Sequence, residues 1–160
     1  YEPICKPRLI TEKYVLVFGW NTNSDLVQAA KQVSKKLGLP VYNIVPPPRK
    51  MFCGIPRKLD VGPCEFLSMI KNAEFVVTNS FHGTAFSTTF EKPYVSIVSG
   101  KADTRMHSLL AQLGLSDHLV TKDNIDVDKM LATDFTPVRD KKKALRQTSF
   151  DYLKNALKGL

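Results

Sequence analysis

The 160-residue chain has no apolar run near the length of about 18 residues that a membrane-spanning helix requires. It begins with tyrosine, and its opening residues lack the basic, apolar and small-residue segments of a signal peptide. We therefore expect a cytoplasmic protein without a membrane span.

Cysteine is scarce, and two common nucleotide-binding motifs are missing. Cys5, Cys53 and Cys64 are widely spaced and form no C-x-x-C pair, which argues against a disulfide scaffold or a cysteine zinc site. Neither a G-x-G-x-x-G fingerprint nor a Walker A loop occurs. No metal site is expected, and a reducing compartment fits this cysteine usage.

Acidic residues are the minority, with 15 against 23 basic residues and a net charge of +8. Residues 137–160 carry seven basic and two acidic residues, so this segment alone supplies +5 of that charge. We interpret it as a basic C-terminal helix with a solvated face, and expect no nucleic-acid partner. Peripheral contact with the inner face of an anionic membrane is the alternative.

The rest of the chain alternates apolar runs with helical patterns. Strands are predicted at 14–18, 41–45, 75–78, 94–98 and 118–121. Helices are predicted at 26–37, 63–70, 81–90, 104–113, 127–131 and 141–157, with a long loop at 46–62. This order predicts an α/β fold, a Rossmann-like three-layer domain with a mostly parallel sheet covered on both faces.

Ligands of such sheets bind at the carboxyl ends of the strands. His82 is the one histidine of three predicted at that edge. The helix that follows Asn79 and Ser80 has no acid in its first turn, so its amide groups and dipole favour a phosphate or carboxylate. Arg105 opens the next predicted helix against its dipole, at a cost of about 0.3–1 kcal/mol that a bound anion would offset. Both features also occur at ordinary solvated helix ends.

The motifs in this region resemble the polysaccharide pyruvyl transferase family. They comprise DVGPCEFL at 60–67, FVVTNSFHGTAFS at 75–87, Lys92-Pro93, Arg105, and the segments 108–110 and 113–117. The resemblance covers about 60 residues, from Asp60 to His118.

The resemblance implies a bacterial or fungal enzyme that transfers pyruvyl from phosphoenolpyruvate onto sugar hydroxyls of an exopolysaccharide or its precursor, forming a ketal. Its fold would be two Rossmann-like halves, as in GT-B glycosyltransferases. Residues 1–160 would then be one domain, the C-terminal half, and inactive without the N-terminal half. Phosphoenolpyruvate would be the donor substrate, the sugar or polysaccharide the acceptor, and no cofactor is implied.

The family motif assigns His82 as the catalytic acid or base. Some members place an arginine where this chain has Ser80, and Arg105 would replace it. The predicted substrate-binding residues are Asn79, Ser80, Phe81, Gly83, Thr84 and Arg105. Further candidates at the same edge are Glu65, Lys101 and Trp20.

Two other functions stay open. In a GT-B glycosyltransferase half that binds a sugar nucleotide, Glu65 would bind the ribose hydroxyls and the loop 46–62 the base. In a non-catalytic binding domain, His82 would only satisfy the start of its helix. A buried His82 with no cavity beside it would favour the second alternative.

Overall fold

The computed structural model describes residues 1–19, 24–44, 61–98 and 104–158. Short 3₁₀ turns occur at Glu2–Ile4 and Ser116–His118. The strands are β1 Val15–Phe18, β2 Val41–Asn43, β3 Phe75–Thr78, β4 Tyr94–Ile97 and β5 Leu119–Val120. The helices are α1 Ser24–Leu37, α2 Pro63–Asn72, α3 Phe81–Thr89, α4 Thr104–Leu113, α5 Val127–Leu131 and α6 Thr136–Leu157.

In the described ranges the five strands form one sheet in the order β2-β1-β3-β4-β5, and every pairing is parallel. Strand β1 lies between β2 and β3, and its Val15 pairs with Val41 on one side and with Phe75 on the other. The chain therefore moves outward in one direction from β1 to β2, then returns and continues in the other direction from β3 to β5. Such a reversal creates a crevice at the carboxyl ends of β1 and β3.

Two apolar cores cover the two faces of the sheet. Side chains alternate along a strand, so Val15 and Val17 enter the core beneath α1 and α5, whereas Leu16 enters the other. The second core is covered by α2, α4 and the beginning of α6, with Ile70, Leu110 and Val138 fully or nearly fully buried. The predicted three-layer α/β fold is confirmed.

Local signals explain most helix ends. Pro63 occupies the first turn of α2, where a missing amide hydrogen costs nothing. Gly38 and Gly114 follow α1 and α4 with φ values of 65° and 75°, which side chains other than glycine adopt with strain. These ends agree with the sequence patterns.

The beginning of α6 differs from the prediction. The helix begins at Thr136 rather than at 141, with Pro137 in its first turn. The Asp134 carboxylate accepts the Thr136 amide at 2.8 Å, which stabilises this earlier start. None of the helices in the described part of the chain is both long and apolar enough to cross a membrane.

His118 is a buried structural residue between β4 and α5. Its Nδ1 donates to the Tyr94 carbonyl at 2.9 Å, and its Nε2 accepts from the Thr133 hydroxyl at 3.2 Å. The ring lies 4.3 Å, centroid to centroid, from the Tyr94 ring. The predicted strand 118–121 is shortened to Leu119–Val120 because His118 closes a 3₁₀ turn.

Acid is expected to destabilise the fold through His118. Burial lowers the pKa of His118 below its ordinary value of 6.5. As the pH falls, His118 therefore binds a proton more readily in the unfolded chain than in the folded chain. The contribution of neutral His118 to the free energy of unfolding is complete above about pH 6.5 and is lost as the pH falls below that value. Urea unfolding between about pH 7 and 5 should show a smaller pH dependence for His118→Gln than for the wild type. His107→Gln, at an exposed position of α4, is the control, and equal slopes for wild type and His118→Gln would contradict the prediction.

Candidate functional site

The crevice between the ends of β1 and β3 is held together by one threonine. Thr78 is fully buried, and its hydroxyl donates to the Phe18 carbonyl at 2.6 Å and accepts the Ser80 amide at 3.0 Å. These bonds join the carboxyl ends of the neighbouring strands β1 and β3 and fix the start of α3. The sequence pattern identifies Thr78 only as the last residue of a strand. A hydroxyl side chain directly after three apolar residues was the signal that could have indicated its hydrogen-bonding role.

Gly83 allows α3 to pack closely against the β1–β3 junction, the place where Thr78 joins the carboxyl ends of β1 and β3. A Cβ atom at Gly83 would contact the Thr78 hydroxyl and would lie 2.8 Å from Thr78 Cβ and 3.1 Å from Phe18 Cδ1. The first turn of α3 is therefore seated directly on the ends of β1 and β3. That position requires a residue without a side chain.

The amino end of α3 is suited to an anion. Ser80 occupies the N-cap position, as predicted, but its side chain makes no capping hydrogen bond, and the first turn contains no acid. The Thr84 amide donates to the Ser80 carbonyl at 3.0 Å. The amides of 81–83 are those that a helix leaves without an intrahelical acceptor. They and the positive end of the helix dipole form a potential anion cradle.

The side chain of Thr84 lies inside the protein. It is fully buried, and its hydroxyl lies 2.7 Å from the Ser96 hydroxyl and 3.1 Å from the Ser80 carbonyl. The predicted cradle of 80–84 is thus narrowed to 81–83, because both the amide and the hydroxyl of Thr84 are engaged in the fold. The Ser96 contact depends on the register between α3 and β4, which the sequence pattern does not specify.

His82 is exposed at this edge and borders a pocket of about 380 Å³. Phe18 and Phe66 form an aromatic wall of the pocket, with ring centroids 4.7 Å apart. Ile44, Val61, Gly62 and Pro63 complete its lining. The arrangement places one titratable side chain beside an apolar recess. Sequence reasoning found His82 but treated the two phenylalanines as ordinary strand and helix residues.

Arg105 lies next to the start of α3, although it belongs to α4. Its guanidinium carbon is 5.2 Å from the centroid of the Phe81 ring, and that ring lies 5.9 Å from the His82 ring. The attraction between a guanidinium and an aromatic face holds the Arg105 side chain beside the Phe81 ring. The structure therefore brings Arg105, Phe81 and His82 together.

Asn79 and Glu65 are the two other site candidates that the structure describes. Asn79 is half-buried, and its Oδ1 lies 2.5 Å from the place that a Cβ would take at Gly19, so the end of β1 passes close to it. Glu65 is half-buried in the first turn of α2. Its Oε2 lies 2.9 Å from the position that a Cβ atom would take at Gly62. The following predictions lie outside the described residues: Trp20, Lys101 and the loop residues 46–60.

The family model for polysaccharide pyruvyl transferases matches residues 5–100. The chain belongs to this family. The matched segment contains β1–β4 and α3, so every residue that lines the His82 pocket falls within it, whereas Arg105 lies beyond its end. No curated protein sequence matches the chain.

Solved structures show the fold. UDP-GlcNAc 2-epimerase of Methanocaldococcus jannaschii, in complex with UDP-GlcNAc and UDP, is 16% identical, with 87% of this chain and 46% of that chain covered and a TM-score of 0.59. The glycotransferase of kitacinnamycin is 14% identical, with coverages of 89% and 40% and a TM-score of 0.53. Both have the GT-B fold, and this pyruvyl transferase family member spans about half of their length.

Proposed function

We propose that this chain binds phosphoenolpyruvate and supplies the acid or base of a polysaccharide pyruvyl transferase. The observation that carries the proposal is the placement of His82. Its side chain is exposed beside a pocket, and it is the second residue of α3, a helix whose N-cap side chain makes no capping hydrogen bond. A buried His82 without a cavity would have favoured a non-catalytic domain. The surroundings of His82 instead combine a titratable group with space for a small substrate.

Phosphoenolpyruvate carries a phosphate and a carboxylate, and both anions need hydrogen-bond donors or cations. The amides of 81–83 and the Arg105 guanidinium supply such donors at neighbouring positions. The methylene group of the donor is small and apolar, which suits the wall formed by Phe18 and Phe66. One anionic group would bind at the α3 start, with the enol carbon directed toward His82.

Ketal formation uses two sugar hydroxyls, one in an addition and one in a substitution, and both give up a proton. A first sugar hydroxyl adds to C2 of the donor, while the methylene carbon gains a proton and becomes a methyl group. A second hydroxyl then replaces the phosphate at the same carbon, and its proton leaves with the phosphate. We assign His82 to the first addition, as the group that takes the hydroxyl proton or protonates the methylene carbon.

The acceptor side is proposed to lie on another half. This chain covers 46% of the epimerase structure, and GT-B enzymes place their substrates between two Rossmann-like halves. The sugar or polysaccharide would therefore be bound largely by the second half. We propose no cofactor besides the donor itself.

Titration of the chain with phosphoenolpyruvate, followed by amide and histidine NMR, tests the donor site. We expect shifts of the 79–84 amides and of His82 that exceed those produced by sulfate. The shifts should disappear in Arg105→Ala and weaken in His82→Ala, whereas Lys31→Ala on the exposed side of α1 should change nothing. Equal responses to sulfate and phosphoenolpyruvate would reduce the site to a general anion site, and no response would contradict a donor site on this half.

A sugar nucleotide is the second candidate ligand. The fold resembles that of an epimerase solved in complex with UDP-GlcNAc and UDP, and Glu65 lies in the first turn of α2, near the same sheet edge. Titration with UDP-GlcNAc distinguishes the two proposals. Shifts around Glu65 that Glu65→Gln abolishes, with no response to phosphoenolpyruvate, would favour the sugar nucleotide.

A further inference from the structure

The last four turns of α6 are not covered by other residues in the part of the chain that the structure describes. Val138 is the one buried residue of this helix, and every residue from Lys143 to Lys158 is exposed. Phe150, Leu153 and Leu157 are 46%, 51% and 63% exposed. Their spacing of three and four residues places them on one face of the helix. A solvated helix does not need three large apolar side chains on one face.

Cations share this face with the apolar residues. Arg146 and Lys154 are each four residues from Phe150 along the helix, and Lys143 is seven residues, or about two turns, from it. The Arg146 guanidinium lies 5.3 Å from the Phe150 ring centroid. The two acids of the helix, Asp140 and Asp151, lie about 80° and 100° around the helix axis from Phe150 and do not separate these cations. The face is thus both apolar and positively charged.

A groove of about 520 Å³ continues the same surface between α3, α4 and α6. Leu109 and Leu113 are part of its apolar lining, and cations of α6 border it. Arg139, at the near end, is paired with Glu91. Lys142, Lys143 and Arg146 form no ion pair with another described residue and add positive charge along the groove.

We propose that this face of α6 and the adjoining groove dock the protein onto an anionic lipid bilayer. A basic helix with an apolar face lies in the plane of the membrane, with its phenylalanine and leucine side chains in the headgroup–acyl boundary and its lysines reaching the headgroups. Lysine is depleted at protein–protein interfaces, so the interleaved lysines favour a lipid surface over a protein partner. This inference is independent of the proposed transferase activity.

Cosedimentation of the chain with vesicles tests the proposal. We expect binding to vesicles of phosphatidylcholine mixed with equal phosphatidylglycerol, no comparable binding to phosphatidylcholine alone, and weaker binding as salt is raised. Removing two cations in Lys143→Gln/Arg146→Gln should weaken binding by about tenfold or more, since each contributes a substantial share of the attraction. Phe150→Ser/Leu153→Ser should weaken it as well, through lost apolar burial.

The matched control is Lys31→Gln/Lys35→Gln, which removes the same charge from the exposed side of α1. Its binding should stay close to that of the wild type, and far-UV circular dichroism should show that all variants are folded. Equal binding to both vesicle types, no binding, or an equal loss in the control would overturn the proposal. A dimer that Phe150→Ser/Leu153→Ser dissociates would also overturn it, because the face would then join two copies of the chain.

Discussion

Replacing His82 by glutamine is expected to lower the rate of pyruvyl transfer by roughly 10²–10⁴-fold, the usual contribution of a general acid or base. Glutamine preserves much of the size and polarity of the side chain but cannot exchange a proton near neutral pH. His82 is exposed and its pocket is lined by other elements, so the fold should not depend on it. The measurement is phosphate release from phosphoenolpyruvate by a protein that carries this domain together with the proposed acceptor half.

A matched substitution separates chemistry from general effects of losing a histidine. His107→Gln lies on α4, the same helix that supplies Arg105, and its side chain is exposed. It should retain the wild-type rate. A His82→Gln enzyme that retains more than about a tenth of that rate would contradict a proton-transfer role, even if phosphoenolpyruvate binding were confirmed by titration.

Local chemistry was sufficient to predict most of the fold. The β-branched runs at Val15–Phe18 and Phe75–Thr78 have few alternatives to buried strands, and Pro63, Gly38 and Gly114 mark helix ends by their backbone preferences. The start of α6 was predicted at 141, although Pro137 already indicated a first helical turn. Residues 136–140 contain Val138 as their one large apolar side chain, so no apolar period extends the predicted helix to its start.

The candidate site could be predicted only in part, since its geometry rests on contacts between distant residues. The Thr78 hydroxyl meets the Phe18 carbonyl across 60 residues, and Arg105 reaches Phe81 from another helix. Thr84 shows the reverse case, in which a residue predicted at the ligand edge points inward to Ser96. Such contacts follow from strand order and register, and no local pattern in the sequence encodes them.

Replacing Gly83 by alanine is expected to destabilise the protein by about 2 kcal/mol, although alanine is the better helix former by up to about 1 kcal/mol. The new Cβ would lie 2.8 Å from Thr78 Cβ and 3.1 Å from Phe18 Cδ1. Thr78 cannot move aside without losing its bonds to the Phe18 carbonyl and the Ser80 amide. Urea unfolding should therefore show a lower midpoint, and the displaced α3 start should respond less to phosphoenolpyruvate.

Ser87→Ala provides the control for this steric argument because it places alanine in the same helix, four residues further on. Ser87 is fully buried, and its hydroxyl has no hydrogen-bond partner in the described structure. Removing that hydroxyl relieves a desolvation cost, so the free energy of unfolding should stay constant or rise. If Gly83→Ala proved as stable as Ser87→Ala, α3 would have room to shift from the β1–β3 junction. The fold would then not require the first turn of α3, which carries the proposed anion site, to pack directly against Thr78.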